Sequence, residues 1–168
     1  MKHILTLAAF LVATTPAAAV HANEIVIGIG RSDFSTDNAG NLLFGSLDYH
    51  AAPFASHAGF DFGLGAGGLW DGNGDYFLGA GLVVTRRFGN GRWFVELSEM
   101  PGYYHADDGE HDLGNDLEFR SQLALGYRLD SIWSVSLAGA HISNASLSDE
   151  NPGVNFGFLR LHRSLGGR

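Results

Sequence analysis

Residues 116–128 alternate with period two over thirteen positions. Leu117, Phe119, Leu123, Leu125 and Tyr127 fall on one face with Ser121 among them. Glu118, Arg120, Gln122 and Arg128 fall on the other, with Ala124 and Gly126. Successive side chains of a strand point to opposite faces, so this stretch reads as one strand with an apolar and a charged side. Strands of soluble proteins average about 5–6 residues. A strand of thirteen with this polarity suits a tilted membrane strand, apolar towards lipid and polar towards a lumen.

The same pattern gives eight strand candidates, at roughly 24–31, 41–51, 57–70, 75–88, 91–104, 115–128, 131–143 and 152–163. An even count lets an antiparallel barrel close with both termini on one side. The connections alternate in character. Gly89-Asn90-Gly91 is a tight hairpin turn, since Asn and Gly accept the positive φ such turns need, and the link at Asp130 is as short. Longer polar links lie at 32–40, 105–114 and 144–151, while the one near 71–74 is shorter than its counterparts. The expected fold is an all-β, eight-stranded antiparallel transmembrane β-barrel. Aromatic residues near strand ends (Trp70, Tyr76, Trp93, Tyr103, Tyr104, Tyr127, Trp133) fit an interfacial girdle. The soluble rival, a β-sandwich or lipocalin-like barrel, shows the same alternation with its faces reversed. Eight strands leave an interior filled by side chains, which argues against a transport pore and places function in the loops or on the outer wall.

Residues 1–22 read as a secretory signal peptide, with Lys2 and His3 before an apolar run from Ile4 to Val12 that is too short to span a bilayer. Residues 23–168 then form a single barrel domain. Removing the leader removes the only lysine, leaving nine arginines against 18 acidic residues, a net charge of −9. Such a balance disfavours a phosphate-tracking nucleic-acid binder. Charged residues make up 17% and glycine is abundant at 24 residues, as a small lipid-facing barrel requires. There is no cysteine, so an oxidising compartment is harmless to the chain.

Chemistry enters on the seventh strand. Trp133, Val135, Leu137, Gly139, His141 and Ser143 share a face by parity, so an imidazole and a hydroxyl continue an otherwise lipid-facing row. Residues i and i+2 of a strand project to the same side about 6.5–7 Å apart, which lets a histidine lean towards the serine as base to nucleophile. A neutral imidazole at pH 7 is suited to that task. The plain alternative is a Ser and a His sitting in the interfacial zone of a barrel wall.

The surrounding residues add to this. His141-Ile142-Ser143-Asn144-Ala145 followed by Asn151-Pro152-Gly153 resembles the PagL-type lipid A 3-O-deacylases of Gram-negative outer membranes. The resemblance extends through Gly102-Tyr103-Tyr104-His105, the Asp112-Leu113-Gly114 loop, Leu117-Glu118-Phe119-Arg120-Ser121 and Gly126-Tyr127-Arg128, covering roughly residues 93–163. It implies an eight-stranded barrel in the Gram-negative outer membrane that acts as a serine esterase. Its reaction would remove the 3-position acyl chain of lipid A, at a site on the lipid-facing wall. Ser143 matches the family nucleophile and His141 the base. Asn144 matches the asparagine beside the nucleophile, a contributor to an oxyanion hole, and Asn151 a further motif asparagine. The third member departs from the pattern: the family glutamate is replaced by Asn155. An amide can orient a histidine but cannot balance its charge. Three outcomes stay open: Asn155 serves at a reduced rate, Asp149 or Glu150 reaches in from the loop, or the chain is a catalytically impaired deacylase homologue. Neither a cofactor nor a metal is implied. The expected partners are lipid A or lipopolysaccharide and outer-membrane lipids, and a homodimer stays open. The rival from another class is a non-catalytic adhesin or coat-type barrel.

His105, Asp107, Asp108, Glu110, His111 and Asp112 crowd one loop, which reads as a solvated acidic segment rather than a Ca²⁺ or transition-metal site. Arg86, Arg87 and Arg120 are expected to pair with Glu96 and Glu118. His50, His57 and His162 show no partner pattern. The mature negative charge is awkward beside an anionic headgroup, and places recognition on local arginines or bridging cations.

Overall fold

A computed structural model describes residues 22–34, 42–107, 109 and 111–166. The proposed leader, apart from Ala22, and most of the first long loop lie outside the described residues. The strands are β1 (Glu24–Phe34), β2 (Leu43–His50), β3 (Ala55–His57), β4 (Phe60–Asp71), β5 (Tyr76–Phe88), β6 (Trp93–His105), β7 (Leu117–Arg128), β8 (Trp133–Ser143) and β9 (Val154–Ser164). All pairings are antiparallel. The sheet runs β2-β1-β9-β8-β7-β6-β5-β4, and β2 pairs with β4, so the eight long strands close into a barrel.

The barrel has the eight strands expected, and the short β3 is an addition to them. Residues 55–57 fold back on the start of β4 as a small flap, because Ala58 and Gly59 both adopt positive φ (50° and 81°) and make a tight turn. His57, expected at the start of a wall strand, therefore belongs to the flap. The Gly89-Asn90-Gly91 turn has positive φ at all three residues. At the neighbouring turn, the Asp130 carboxylate accepts N–H groups of Ile132 and Trp133 at 2.7 and 2.8 Å, which hold it below the ordinary aspartate pKa. The short link at 71–75 is closed in the same way: Asp71 Oδ1 accepts the N–H groups of Asn73, Gly74 and Asp75.

Which face is inside decides between the two barrel types, and the answer is the polar one. Asp48, His50, Glu96, Ser98, Glu118, Arg120, Gln122, Ser136, Arg160 and His162 are all buried in the lumen. Leu64, Leu137 and Leu159 stand outside at 58–64% exposure. Tens of outward apolar side chains cannot be stable in water at such exposure, so the wall needs lipid. Of the expected girdle, Tyr104 turns inward, and its hydroxyl donates to the His111 carbonyl at 3.1 Å.

The lumen has two layers. Towards the long-loop rim, Phe44, Leu69, Phe77, Ile142, Val154 and Phe158 form an apolar plug with Leu113 of the β6–β7 loop, and Phe44 meets Phe156 and Phe158 edge-on at 4.9 and 5.3 Å. Towards the short-turn rim lies an ionic layer. Arg120 donates to Asp48 at 2.6 Å and Arg160 to Glu96 at 2.7 Å, with Arg160 also 3.8 Å from Asp48 and His50 3.5 Å from Glu96. The expected partners are thus rearranged. Arg120 takes Asp48 and not Glu118, Glu96 takes Arg160, and Arg87 takes Asp61 at 2.7 Å. The physical reason is register: parity says which residues point inward, while the pairing of distant strands sets which of them meet. His162 contacts Ser136 Oγ at 2.8 Å and Glu24 at 3.6 Å.

Candidate active site

β8 carries His141 outward, exposed, and Ser143 outward, half-buried, at its long-loop end. β9 places Asn155 directly across from His141. His141 Nδ1 lies 2.9 Å from Asn155 Oδ1. An amide oxygen can only accept, so Nδ1 is the donor and, in the neutral ring, Nε2 is the nitrogen with the lone pair. The other edge of the ring rests against Gly153, whose φ is +68°. A Cβ there would come within 2.8 Å of His141 Cε1 and 3.1 Å of Nε2, so both the backbone conformation and the imidazole require glycine.

Asn144 is fully buried and heavily engaged. Its Nδ2 donates to the Leu113 carbonyl (3.0 Å), Ser148 Oγ (2.7 Å) and the Glu150 carbonyl (2.7 Å), and its Oδ1 accepts from Ser146 N–H at 2.9 Å. Its backbone N–H donates to Asn151 Oδ1 at 3.1 Å. Asn144 and Asn151 therefore hold together the turn that follows Ser143, in which Ala145 and Ser146 have positive φ. Asp149 and Glu150 are exposed on this loop, and the hydrogen bond His141 makes is to Asn155.

Below the long-loop rim, a groove of about 590 Å³ opens on the outer wall. Two rows of cross-strand neighbours build it. One is Leu82, Glu99, Ser121, His141 and Asn155, and the next is Val84, Leu97, Leu123 and Gly139, a row that Gly157 continues on β9 just beyond the lining. A Cβ on Gly157 would touch nothing and one on Gly139 only the Phe156 carbonyl at 3.8 Å, so these glycines leave a trough where neighbouring rows carry leucines. Ser143 sits one row nearer the rim, opposite Phe119. Ser121 Oγ donates to Glu99 Oε2 at 2.5 Å. Sequence parity showed Ser121 to be a polar residue on an apolar face, but its meeting with Glu99, 22 residues away, depends on strand register. Among the described residues, Arg31 on β1, in register with Gly157, is the arginine that stands by this row.

The crowded β6–β7 loop is not simply solvated. His111 is buried and lies 2.6 Å from Asp75, which also accepts the Asp107 N–H at 2.8 Å. Burial, with the nearby Asp71 charge, keeps Asp75 above the ordinary aspartate value despite these donors. Asp108 and Glu110 lie outside the described residues. Among the described residues, no group of three or more His, Asp or Glu could hold a metal ion.

The sequence model of the lipid A 3-O-deacylase (PagL) family matches residues 44–164, most of the barrel. The chain belongs to this deacylase family. The crystal structure of the outer-membrane enzyme PagL superposes with a TM-score of 0.65 at 18% identity, covering 83% of this chain and 97% of that one. A designed transmembrane β-barrel (TM-score 0.59, 12% identity, 86% and 96% coverage) and Neisserial surface protein A (0.56, 6%, 89% and 100%) share the architecture. At such identities these likenesses speak for the fold. No curated relative matches the chain. Within the deacylase family, the outward His141-x-Ser143 pair and its facing Asn155 occupy the lipid-facing wall of an outer-membrane barrel.

Proposed function

We propose that this barrel hydrolyses the ester-linked acyl chain at the 3 position of lipid A in the outer membrane of a Gram-negative bacterium, after loss of residues 1–22. Ser143 is the nucleophile, His141 the general base and Asn155 the group that orients it. One observation carries the reading: His141 is fixed by Asn155 at 2.9 Å in the tautomer that leaves Nε2 basic, beside an apolar lipid-facing groove. In the reaction, Ser143 Oγ bonds to the acyl carbonyl carbon as its proton passes to His141 Nε2. The bond from that carbon to the lipid A 3-oxygen breaks, and the proton follows to that oxygen. Water then cleaves the acyl-serine by the same route, releasing the fatty acid. Asn144 and Asn151 support Ser143 by fixing the turn after it. An oxyanion contact from the Asn144 amide would replace one of its present hydrogen bonds.

A long-chain alkyl fluorophosphonate, which reacts with activated serines, tests the assignment. Peptide mapping of the labelled barrel should find the adduct on Ser143. An adduct on Ser121 instead, which also borders His141, would overturn the choice of nucleophile.

Asn155 also favours a second reading, a family member of reduced activity, because an amide cannot offset the imidazolium charge. Asn155→Glu should then raise kcat up to about tenfold, equal to ~1.4 kcal/mol of transition-state stabilisation. A fall in kcat would show that the amide, not a carboxylate, is the matched partner of His141. Gly153→Ala should reduce turnover at least about tenfold, since a displaced reacting group costs one or two orders of magnitude. Its effect on unfolding temperature should be only a few degrees, as expected for ~1 kcal/mol of backbone strain.

A further inference from the structure

We propose that Glu99, held by Ser121, supplies the negative charge that Asn155 cannot, and acts as a positioning residue for the His141 imidazolium. This rests on the Ser143–His141 reading above. Glu99 is the seventh of the thirteen residues of β6, midway along a strand whose outward neighbours are Leu97 and Pro101. An ionisable group in mid-wall facing lipid is costly and points to function. Its surroundings are organised. The Ser121 hydroxyl donates to the Glu99 carboxylate at 2.5 Å, which fixes where that carboxylate stands on the wall. Ser121 in turn is the cross-strand partner of His141. The carboxylate, Ser121, His141 and Asn155 all line the same groove.

The row has an order with chemical meaning. Asn155 approaches His141 from β9 and sets the tautomer, while Ser121 and Glu99 approach from β7 and β6. Adjacent strands lie about 4.8 Å apart, so Glu99 stands two strand spacings, about 10 Å, from His141 at the backbone. A wall facing hydrocarbon screens that separation far less than water does. Among the described side chains, the other charged group near the row is Arg31 on β1, in register with Gly157, and β8 itself contributes none. Asn155 faces His141 from β9, and the carboxylate of this row stands instead on β6, on the side of His141 away from β9.

Steady-state kinetics on purified lipid A in mixed micelles, using the full barrel, tests this. Glu99→Gln should lower kcat about tenfold or more with KM changed less than about twofold, whereas Glu99→Asp should recover much of the loss. Adding Asn155→Glu to Glu99→Gln should raise kcat more than the same change does in the parent, since each carboxylate then substitutes for the other. A raised KM with kcat unchanged would overturn the proposal and make Glu99 a substrate contact. So would equal effects of Asn155→Glu in both backgrounds. Absence of turnover in the parent barrel would overturn the esterase reading and this one together, whereas parent turnover with an unaltered Glu99→Gln would remove this one alone.

Discussion

Ser143→Ala is expected to reduce release of the 3-linked acyl chain by on the order of 10³-fold or more, while the barrel unfolds at the same temperature as the parent. Loss of a nucleophile from a serine–histidine unit removes the covalent route altogether, and whatever remains comes from binding and orientation. The stability half of the prediction follows from position. Ser143 is a half-buried residue at the end of β8, outside the luminal ionic layer and the apolar plug. A large activity loss accompanied by an equal loss of folded barrel would mean that Ser143 is structural. Rates should be read by counting released 3-hydroxy fatty acid, and folding by the mobility difference between heated and unheated samples on a gel.

Asp48→Ala should have the opposite signature, with the largest effect on stability. Asp48 is completely buried, accepts from Arg120 at 2.6 Å and lies 3.8 Å from Arg160. Removing it leaves the buried Arg120 guanidinium without its carboxylate and takes one of the two carboxylates beside Arg160, which keeps Glu96. Breaking a buried ion pair by removing one partner costs about 3–5 kcal/mol, because the remaining charge stays desolvated. The expected result is a lower denaturant midpoint of unfolding in vesicles or micelles, by an amount equivalent to those few kcal/mol. The packing there is tight: a Cβ on Gly67 would collide with the Asp48 carboxylate. Asp48→Asn, which keeps the shape and one acceptor oxygen, should cost less. If Asp48→Ala unfolds at the parent's midpoint, the ionic layer is dispensable.

These two sites also show what a single chain reveals before its fold is known. The alternation at 116–128 gives the strand, its length gives the membrane, and parity gives both the outward row of His141 and Ser143 and the inward arrangement of Glu118, Arg120 and Gln122. Each of these depends on local geometry alone. Pairings between strands depend on register. For that reason Arg120 meeting Asp48, 72 residues away, and Ser121 meeting Glu99 were not legible, and the expected Arg120–Glu118 pairing was wrong. The trace these pairs left was weaker: two polar residues, Glu99 and Ser121, at outward positions where leucine is the rule. Asn144 shows a different limit. The family resemblance gave it as an oxyanion contributor, while the hydrogen bonds of its amide to Leu113, Ser148 and Glu150 are contacts that only the folded loops create. The flap at 55–57 escaped notice because Ala58 takes a positive φ that sequence patterns assign to glycine or asparagine.

The assignment of Ser143 as the nucleophile of a lipid A deacylase is tested by the mass spectrum of lipid A from Gram-negative cells producing the parent protein or its Ser143→Ala variant at matched levels of folded barrel. The parent should remove the mass of one 3-hydroxyacyl chain, and the variant should leave lipid A intact. Intact lipid A in both, or the same loss in both, would contradict it.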